Sequence, residues 1–351
     1  MSIQKNSFMN REIWSWIGFA ILLICIIWMK GQDITATSEM IWFVAGTIAL
    51  LIARAIFLKR LDINSEKRKY LSSLFLLSPF IIFSVYCSDN IEIFGVLFFL
   101  IAIEAMEDNR KASWILWFAL AIGISEIYIF LFMLILLMYE KRVQYIIVKS
   151  VGPICMGGML HLGISRFLSE KVVTGNIMWG DIIAKGIPAV AGQKASYFVI
   201  GGLVLFLICY FVKAEKKSVF YFLMVFSTLF LITGSFQDYY VIIFVPLLLI
   251  VLFENPQYFR INMILYLVLN ICGILCLIWN QVEMLINIPN ISYYMGAVNA
   301  CLVAAVLLLW FINYPRQKSF QNLVEMKCET WLKVLNIVII YPLLLVVKII
   351  G

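Results

Sequence analysis

Apolar residues run in long stretches along this chain, at positions 13–29, 41–58, 71–87, 91–105, 113–125, 126–140, 144–166, 197–213, 218–234, 238–254, 261–280, 293–314 and 333–350. Polar and charged residues collect in the short breaks between them. An α-helix needs about 20 mainly apolar residues to cross a bilayer, somewhat fewer inside a bundle, so the pattern predicts about thirteen helices. The run 113–140 is too long for one span and is expected to fold into two short helices at a tight turn near 123–126. Lys5 and Arg11 precede the first stretch with no small-x-small cleavage pattern after it, which reads as a retained signal anchor. The fold class expected is all-α: a polytopic transmembrane bundle of about 11–13 spans. It is read as one membrane domain over 1–351, with a longer loop at 167–196 and a basic amphipathic segment at 315–333.

Composition agrees with lipid as the main solvent. Apolar residues make up 64% of the 351 positions and charged ones only 13%, against roughly 45–50% and about 25% in soluble domains. No soluble shape has a surface small enough to hide that much apolar side chain, which excludes a soluble enzyme, a disordered tail and a disulfide-stapled module. The net charge of +7 does not gather into a basic patch with interleaved aromatics, so nucleic acid is not an expected partner. The basic residues instead divide by side. With the N-terminus in the cytoplasm, alternate loops put 21 of the 27 Lys and Arg inside and leave Lys30, Arg166, Lys171, Lys185, Lys194 and Lys348 outside. A bias toward Ile, Lys and Asn over Ala suggests an AT-rich bacterial genome, hence a bacterial plasma membrane.

Once sides are assigned, the outer segments are 30–40, 87–92, 123–126, 167–196, 234–240 and 280–294. Four carry acids at the membrane boundary: Asp33, Asp89, Glu126 and Asp238. A carboxylate near hydrocarbon is costly unless it faces protein or water, which makes these residues functional candidates, while each alone also suits a solvated helix end. The loop 167–196 mixes Trp179 and aliphatic residues with Lys171, Lys185 and Lys194, a pattern that suits an interfacial helix. With Arg166 just before it, this loop concentrates the outward basic residues. They serve either as a seat for a lipid phosphate or as snorkelling anchors.

Other chemistry is sparse. His161, the single histidine, lies in an apolar helix and reads as a packed, hydrogen-bonded residue. The eight cysteines form no Cys-x-x-Cys or cysteine–histidine cluster, and Cys272 and Cys276, on one helix face, read as packing. Gly157-Gly158 and Gly201-Gly202 are expected to allow close helix approach. No phosphate-cradling glycine loop, nucleophile elbow or His-Glu-x-x-His is present. Glu104, Glu107 and Asp108, beside Arg110 and Lys111, read as a solvated cytoplasmic cluster.

Two stretches resemble a known family. Ser78-Pro79-Phe-Ile-Ile-Phe-Ser-Val-Tyr86, followed by Cys-Ser-Asp89-Asn-Ile-Glu, a helix and the basic turn Asn109-Arg110-Lys111, is similar to the third-to-sixth helix region of GT-C integral-membrane glycosyltransferases. The likeness is to the polyprenyl-phosphate-mannose and GPI-mannosyltransferase-like branch. There, a Ser-Pro leads to an outer turn of the Gly-Gln-x-Asp kind. Here the aspartate matches, and the glycine and glutamine do not. Ser235-Phe-Gln237-Asp238-Tyr239-Tyr240-Val-Ile-Ile-Phe-Val-Pro246 resembles the same branch's late segment.

The resemblance covers roughly residues 10–255. It implies transfer of mannose or another hexose, with inversion, from a polyprenyl-phosphate donor to a lipid-linked or cell-surface glycan acceptor. It also implies Asp33 as catalytic acid/base and Asp89, Glu126, Gln237, Asp238, Tyr239 and Tyr240 around the substrate. Arg166, Lys171, Lys185 and Lys194 would face the lipid phosphate. Many members pair acids in the first loop where this chain has one aspartate, so no resident cofactor is assigned and a divalent cation stays an alternative. A lipid-linked oligosaccharide flippase, a polysaccharide polymerase and a noncatalytic subunit of a glycan-assembly complex are the competing readings.

Overall fold

A computed structural model describes residues 37–60, 65–86, 91–108, 111–167, 186–188, 194–212, 214–233, 242–281 and 291–315, with isolated positions 17, 19 and 20. Every apolar stretch between 41 and 314 contains helix among the described residues. The elements in order are α1 (Thr37–Arg60), α2 (Ser65–Leu76), α3 (Pro79–Tyr86), α4 (Glu92–Glu107), α5 (Lys111–Ile124), α6 (Ile127–Tyr139) and α7 (Val143–Phe167). Then follow β1 (Gly186–Pro188), β2 (Lys194–Ser196), α8 (Tyr197–Phe211), α9 (Lys216–Thr233), α10 (Phe244–Glu254), a 3₁₀ turn at Pro256–Tyr258, α11 (Phe259–Gln281) and α12 (Ile291–Ile312). Four segments are long and apolar enough to cross a membrane: Ile41–Lys59, Val143–Ile164, Pro256–Cys276 and Tyr293–Ile312. Shorter apolar helices lie between them. The stretches 13–29 and 333–350 and the amphipathic segment 315–333 fall outside the described residues, apart from positions 17, 19, 20 and 315.

Three local departures from the sequence pattern have evident causes. The stretch 71–87 is two helices, because Pro79 cannot donate to the preceding turn and instead takes a first helical position, where no donor is needed. Leu77 and Ser78 N–H close α2 on Ser73 and Phe75 carbonyls, and Ile82 N–H opens α3 on the Ser78 carbonyl. The helix expected over 238–254 begins at Phe244, with Pro246 in its first turn. In the loop 167–196 the described residues beyond α7 form an antiparallel strand pair, while the interfacial helix expected over 169–188 falls outside the described residues apart from 186–188. Gly186 faces Ser196, Ile187 faces Ala195 and Pro188 faces Lys194. Gly186 and Pro188 oppose a helix there.

The chain divides into two compact units, 1–125 with 155–175, and 126–154 with 176–351. In the first, α4 and α5 form an antiparallel hairpin, with Phe98 against Trp117 at 5.7 Å and Phe99 against Phe118 at 5.9 Å between ring centroids. α1 runs parallel to α4: Trp42 meets Phe94 near their starts (6.4 Å), and Lys59 pairs with Glu104 near their ends (2.6 Å). α5 and the second half of α7 also run parallel and approach very closely. A Cβ on Gly157 would lie 2.5 Å from Ile122 Cγ2 and 3.0 Å from the Ala119 carbonyl, and one on Gly123 would lie 2.9 Å from Leu160 Cβ. Gly157 thus behaves as expected, whereas a Cβ on Gly158 would meet nothing.

The second unit is built around α10, whose residues from Phe244 to Phe253 are all buried, the pattern of a helix enclosed by others. An aromatic cluster joins α6, α8 and α9: Phe130 stacks on Phe226 at 5.7 Å, and Phe198 meets Phe230 edge-on at 5.0 Å. A Cβ on Gly201 would come within 3.0 Å of Leu229, so this glycine too sets a helix spacing. Outward faces stay apolar, with Val148 on α7, Leu203 on α8 and Phe311 on α12 exposed. Contiguous exposed apolar surface of this kind is expected where lipid is the solvent.

Polar groups lock the helix ends. Lys141 Nζ shares its three N–H donors among the carbonyls of Tyr210 (2.6 Å), Val212 (2.8 Å), Leu137 (2.9 Å) and Cys209 (3.2 Å), and Tyr210 OH donates back to the Lys141 carbonyl (2.9 Å). One ammonium thereby serves the orphan carbonyls that close α6 and α8. Partial burial pushes its pKa below the ordinary lysine value. Next to it, the hydrogen bond from Lys149 (2.7 Å) holds Glu140 below the usual carboxylate range. That pair therefore contributes above the ordinary carboxylate pKa and is lost as pH falls through the depressed value. Being exposed, it contributes little.

A buried amide network joins α10, α11 and α12. Asn262 and Asn313 exchange Nδ2–Oδ1 hydrogen bonds of 2.9 Å each way, Asn255 Nδ2 donates to Asn313 Oδ1 (3.0 Å), and Asn313 Nδ2 also reaches the Leu309 carbonyl (3.0 Å). Asn313→Leu is expected to destabilise the chain by about 1–3 kcal/mol, because it strands the Asn262 amide in a dry site. That exceeds the average of about 0.6 kcal/mol for an interhelical hydrogen bond in a membrane. The double replacement Asn262→Leu with Asn313→Leu should regain part of the loss in thermal or denaturant unfolding, since neither amide is then left unmatched.

Candidate functional site

In the first unit the helix directions decide which residues share an end. Because α1 and α4 are parallel, the helix that follows Asp33 and the helix that follows Asp89 start at the same end. The α4–α5 register, with Phe98 opposite Trp117, puts Glu92 level with Gly123 at that end. The Gly123 carbonyl lies 3.2 Å from His161 Nδ1 on α7. Since a carbonyl only accepts, Nδ1 carries the proton. His161 is half-buried and hydrogen-bonded, as its apolar surroundings in the sequence suggest. Arg166, in the last turn of the same helix, is exposed beyond it.

Glu92 stands apart from every other acid or base. Its side chain is 1% exposed, and among the described residues no other Asp, Glu, Lys or Arg is buried. It occupies the first turn of α4. Ser125, at the end of α5, is also buried, and its hydroxyl has no hydrogen-bond partner among the described residues. Tyr86 closes α3 beside α1: Thr47 Oγ1 gives its proton to the Phe43 carbonyl (2.8 Å), so Tyr86 OH donates to Thr47 (3.1 Å). This end therefore offers a buried carboxylate, an imidazole fixed by one nitrogen, an uncommitted hydroxyl and a guanidinium at the rim. The set suits an uncharged polyhydroxyl group next to an anion.

The second unit has a comparable polar end. α6 and α8 are parallel, with Phe130 near Phe198 (6.2 Å) and Lys141 near Tyr210. α9 is antiparallel to α8, through Phe198–Phe230 and Gly201–Leu229. Glu126, the β2 strand with Lys194, and the last turn of α9, which leads toward Gln237, Asp238, Tyr239 and Tyr240, consequently share one end of this unit. Glu126 is half-buried and precedes α6 without a side-chain cap bond. Lys194 opens β2 opposite Pro188.

Of the sequence candidates, Glu126, Arg166 and Lys194 lie on described residues. Asp33, Asp89, Lys171, Lys185, Gln237, Asp238, Tyr239 and Tyr240 lie outside them. Glu92 was passed over in the sequence in favour of Asp89. Its signal was present, a carboxylate that opens an apolar run of eleven residues with no charge until Glu104. Cys272 and Cys276 are buried, and Cys276 Sγ donates to Asn299 Oδ1 at 3.1 Å. Among the described residues no group of His, Cys, Asp and Glu has the makings of a metal site. No protein family, curated protein or solved structure matches the chain.

Proposed function

We propose that this chain is an integral-membrane glycosyltransferase of the GT-C kind, with about eleven to thirteen spans and its N-terminus in the cytoplasm. It moves mannose or another hexose from a polyprenyl-phosphate donor to a lipid-linked or cell-surface glycan at the outer face of a bacterial plasma membrane. The observation that carries the reading is the common starting end of α1 and α4, the helices that follow Asp33 and Asp89, with Glu92 buried and Arg166 exposed at that end.

The chemistry suits such a place. A sugar on a polyprenyl phosphate is too polar for hydrocarbon, and its tail too apolar for water, so transfer belongs at the boundary with the tail between helices. Asp33 takes the proton from the acceptor hydroxyl as that oxygen attacks the anomeric carbon from the face opposite the phosphate, which inverts the configuration. The phosphate leaves with the electron pair of the broken bond, and Arg166, with Lys171, Lys185 and Lys194, stabilises its growing charge. Asp89, Glu92, Glu126, Gln237 and Asp238 accept from sugar hydroxyls, and Tyr239 and Tyr240 offer an aromatic face. The test is the purified chain in vesicles, supplied with labelled polyprenyl-phosphate hexose and a lipid-linked acceptor. Label should move to the acceptor. Label that crosses the bilayer still attached to its donor would contradict the reading.

That second outcome defines a lipid-linked sugar flippase, which one observation favours. Asn270 lies within the Pro256–Cys276 span, fully buried, with neither amide atom hydrogen-bonded among the described residues. Polar groups at membrane depth mark transport paths in many carriers.

A further inference from the structure

At the end of the second unit opposite Glu126, α9 and α12 frame a cleft of about 350 Å³ lined by Tyr221, Leu307, Trp310, Phe311 and Tyr314. Aromatic residues at a membrane boundary usually serve as belt anchors, with the ring in lipid and the polar tip in water. Two of these rings do the reverse. Trp310 Nε1 donates inward to Thr228 Oγ1 at 2.7 Å, and Tyr221 OH donates to the Trp310 carbonyl at 2.8 Å. Tyr221 also meets the ring of Tyr314 edge-on at 5.7 Å. With both polar tips spent inside the protein, the rings present apolar surface to the cleft, while Leu307, Phe311 and Tyr314 leave it open to the outside.

Charge decides what fits. Lys217 is exposed and lies one turn before Tyr221 on α9, so the two share a helix face. An apolar slot whose wall carries a cation one helical turn further on matches a lipid whose head carries negative charge and whose chain lies along the wall. We infer that this cleft seats one anionic glycerophospholipid of the surrounding bilayer, phosphate on Lys217 and acyl chain against Trp310 and Phe311. The seat is independent of sugar transfer and stands whether or not the chain is a glycosyltransferase.

The full chain is reconstituted in phosphatidylcholine vesicles that contain a minor fraction of phosphatidylglycerol, with bromine on the acyl chains of one lipid or the other. Fluorescence of Trp310 is taken as the difference between wild type and Trp310→Phe. Brominated phosphatidylglycerol should quench that signal with about fivefold higher occupancy than brominated phosphatidylcholine at equal fraction, the factor for one basic residue near anionic lipid. The excess should vanish in Lys217→Gln. Equal quenching by the two lipids, or an excess that survives Lys217→Gln, overturns the assignment. Native mass spectrometry reads the seat without altering Trp310: wild type should retain one phosphatidylglycerol per chain and Lys217→Gln should not, and equal retention overturns it. Displacement of that lipid by polyprenyl phosphate at equal fraction would also overturn it, assigning the cleft to an isoprenoid lipid.

Discussion

Asp33→Asn should lower sugar transfer by about 10²–10⁴-fold while leaving membrane insertion and yield unchanged, because a positioned general base contributes that much and asparagine keeps the shape but cannot take the proton. The size of the loss separates the roles open to a carboxylate here. A residue that only accepts from one sugar hydroxyl would cost far less, about 1.5–3 kcal/mol for a hydrogen bond to a charged group, or roughly ten- to a hundredfold. Asp89→Asn is expected in that smaller range. Turnover of the purified Asp33→Asn protein, supplied with donor lipid and acceptor, decides the matter, and near-wild-type turnover rules out Asp33 as the base.

Gly157→Leu should disrupt the first unit more than any other single replacement between its helices. Even the Cβ would lie 2.5 Å from Ile122 and 3.0 Å from the Ala119 carbonyl, and a backbone carbonyl cannot turn aside as a side chain can. The α5–α7 contact must open, at a cost of about 1–3 kcal/mol or more for overpacking. Opening it also pulls His161 from the Gly123 carbonyl, so activity should fall with stability. Gly158 supplies the comparison. A Cβ there meets nothing within 4 Å, and alanine is about 1 kcal/mol better than glycine in a helix. Gly157→Ala should therefore lower the unfolding temperature in detergent and Gly158→Ala should raise it. A matching response at both sites would remove the glycine contact as the reason for the close approach.

The helices were legible in the sequence because apolar stretches are separated by polar breaks, a pattern that needs no knowledge of neighbours, although only four of the described segments are long and apolar enough to cross a membrane. Ser78-Pro79 was visible as a motif. That it divides one apolar stretch into α2 and α3 follows from the missing proline N–H, which a hydropathy pattern does not register. The strand pair at Gly186–Ser196 was missed for a related reason, since amphipathic composition says where a loop rests and not what its backbone does.

The site was legible only in part. Of the candidate acids at helix ends only Glu126 lies on described residues, and burial of Glu92 depends on which helices cover the start of α4, which no residue near it in the chain reveals. The Asn255–Asn262–Asn313 network is a similar case. Each asparagine alone resembles a loop residue or a tolerated polar insertion, and they become one feature only through the antiparallel register of α11 and α12. Gly157 and Gly201 were recognised as spacers, while Gly158 beside them was not separable until the facing helix was known.

The central proposal is that Asp33 and Asp89, which precede two parallel helices of the first unit, share one outward-facing end of it. It is tested most directly by placing a cysteine pair at 33 and 89 in a chain whose eight native cysteines have been replaced. A membrane-impermeant thiol reagent and a short bis-thiol cross-linker are then applied to intact cells. The account predicts that both positions label from outside and that the pair cross-links within one chain. Labelling confined to permeabilised cells, or outward labelling of positions that never cross-link, would contradict it.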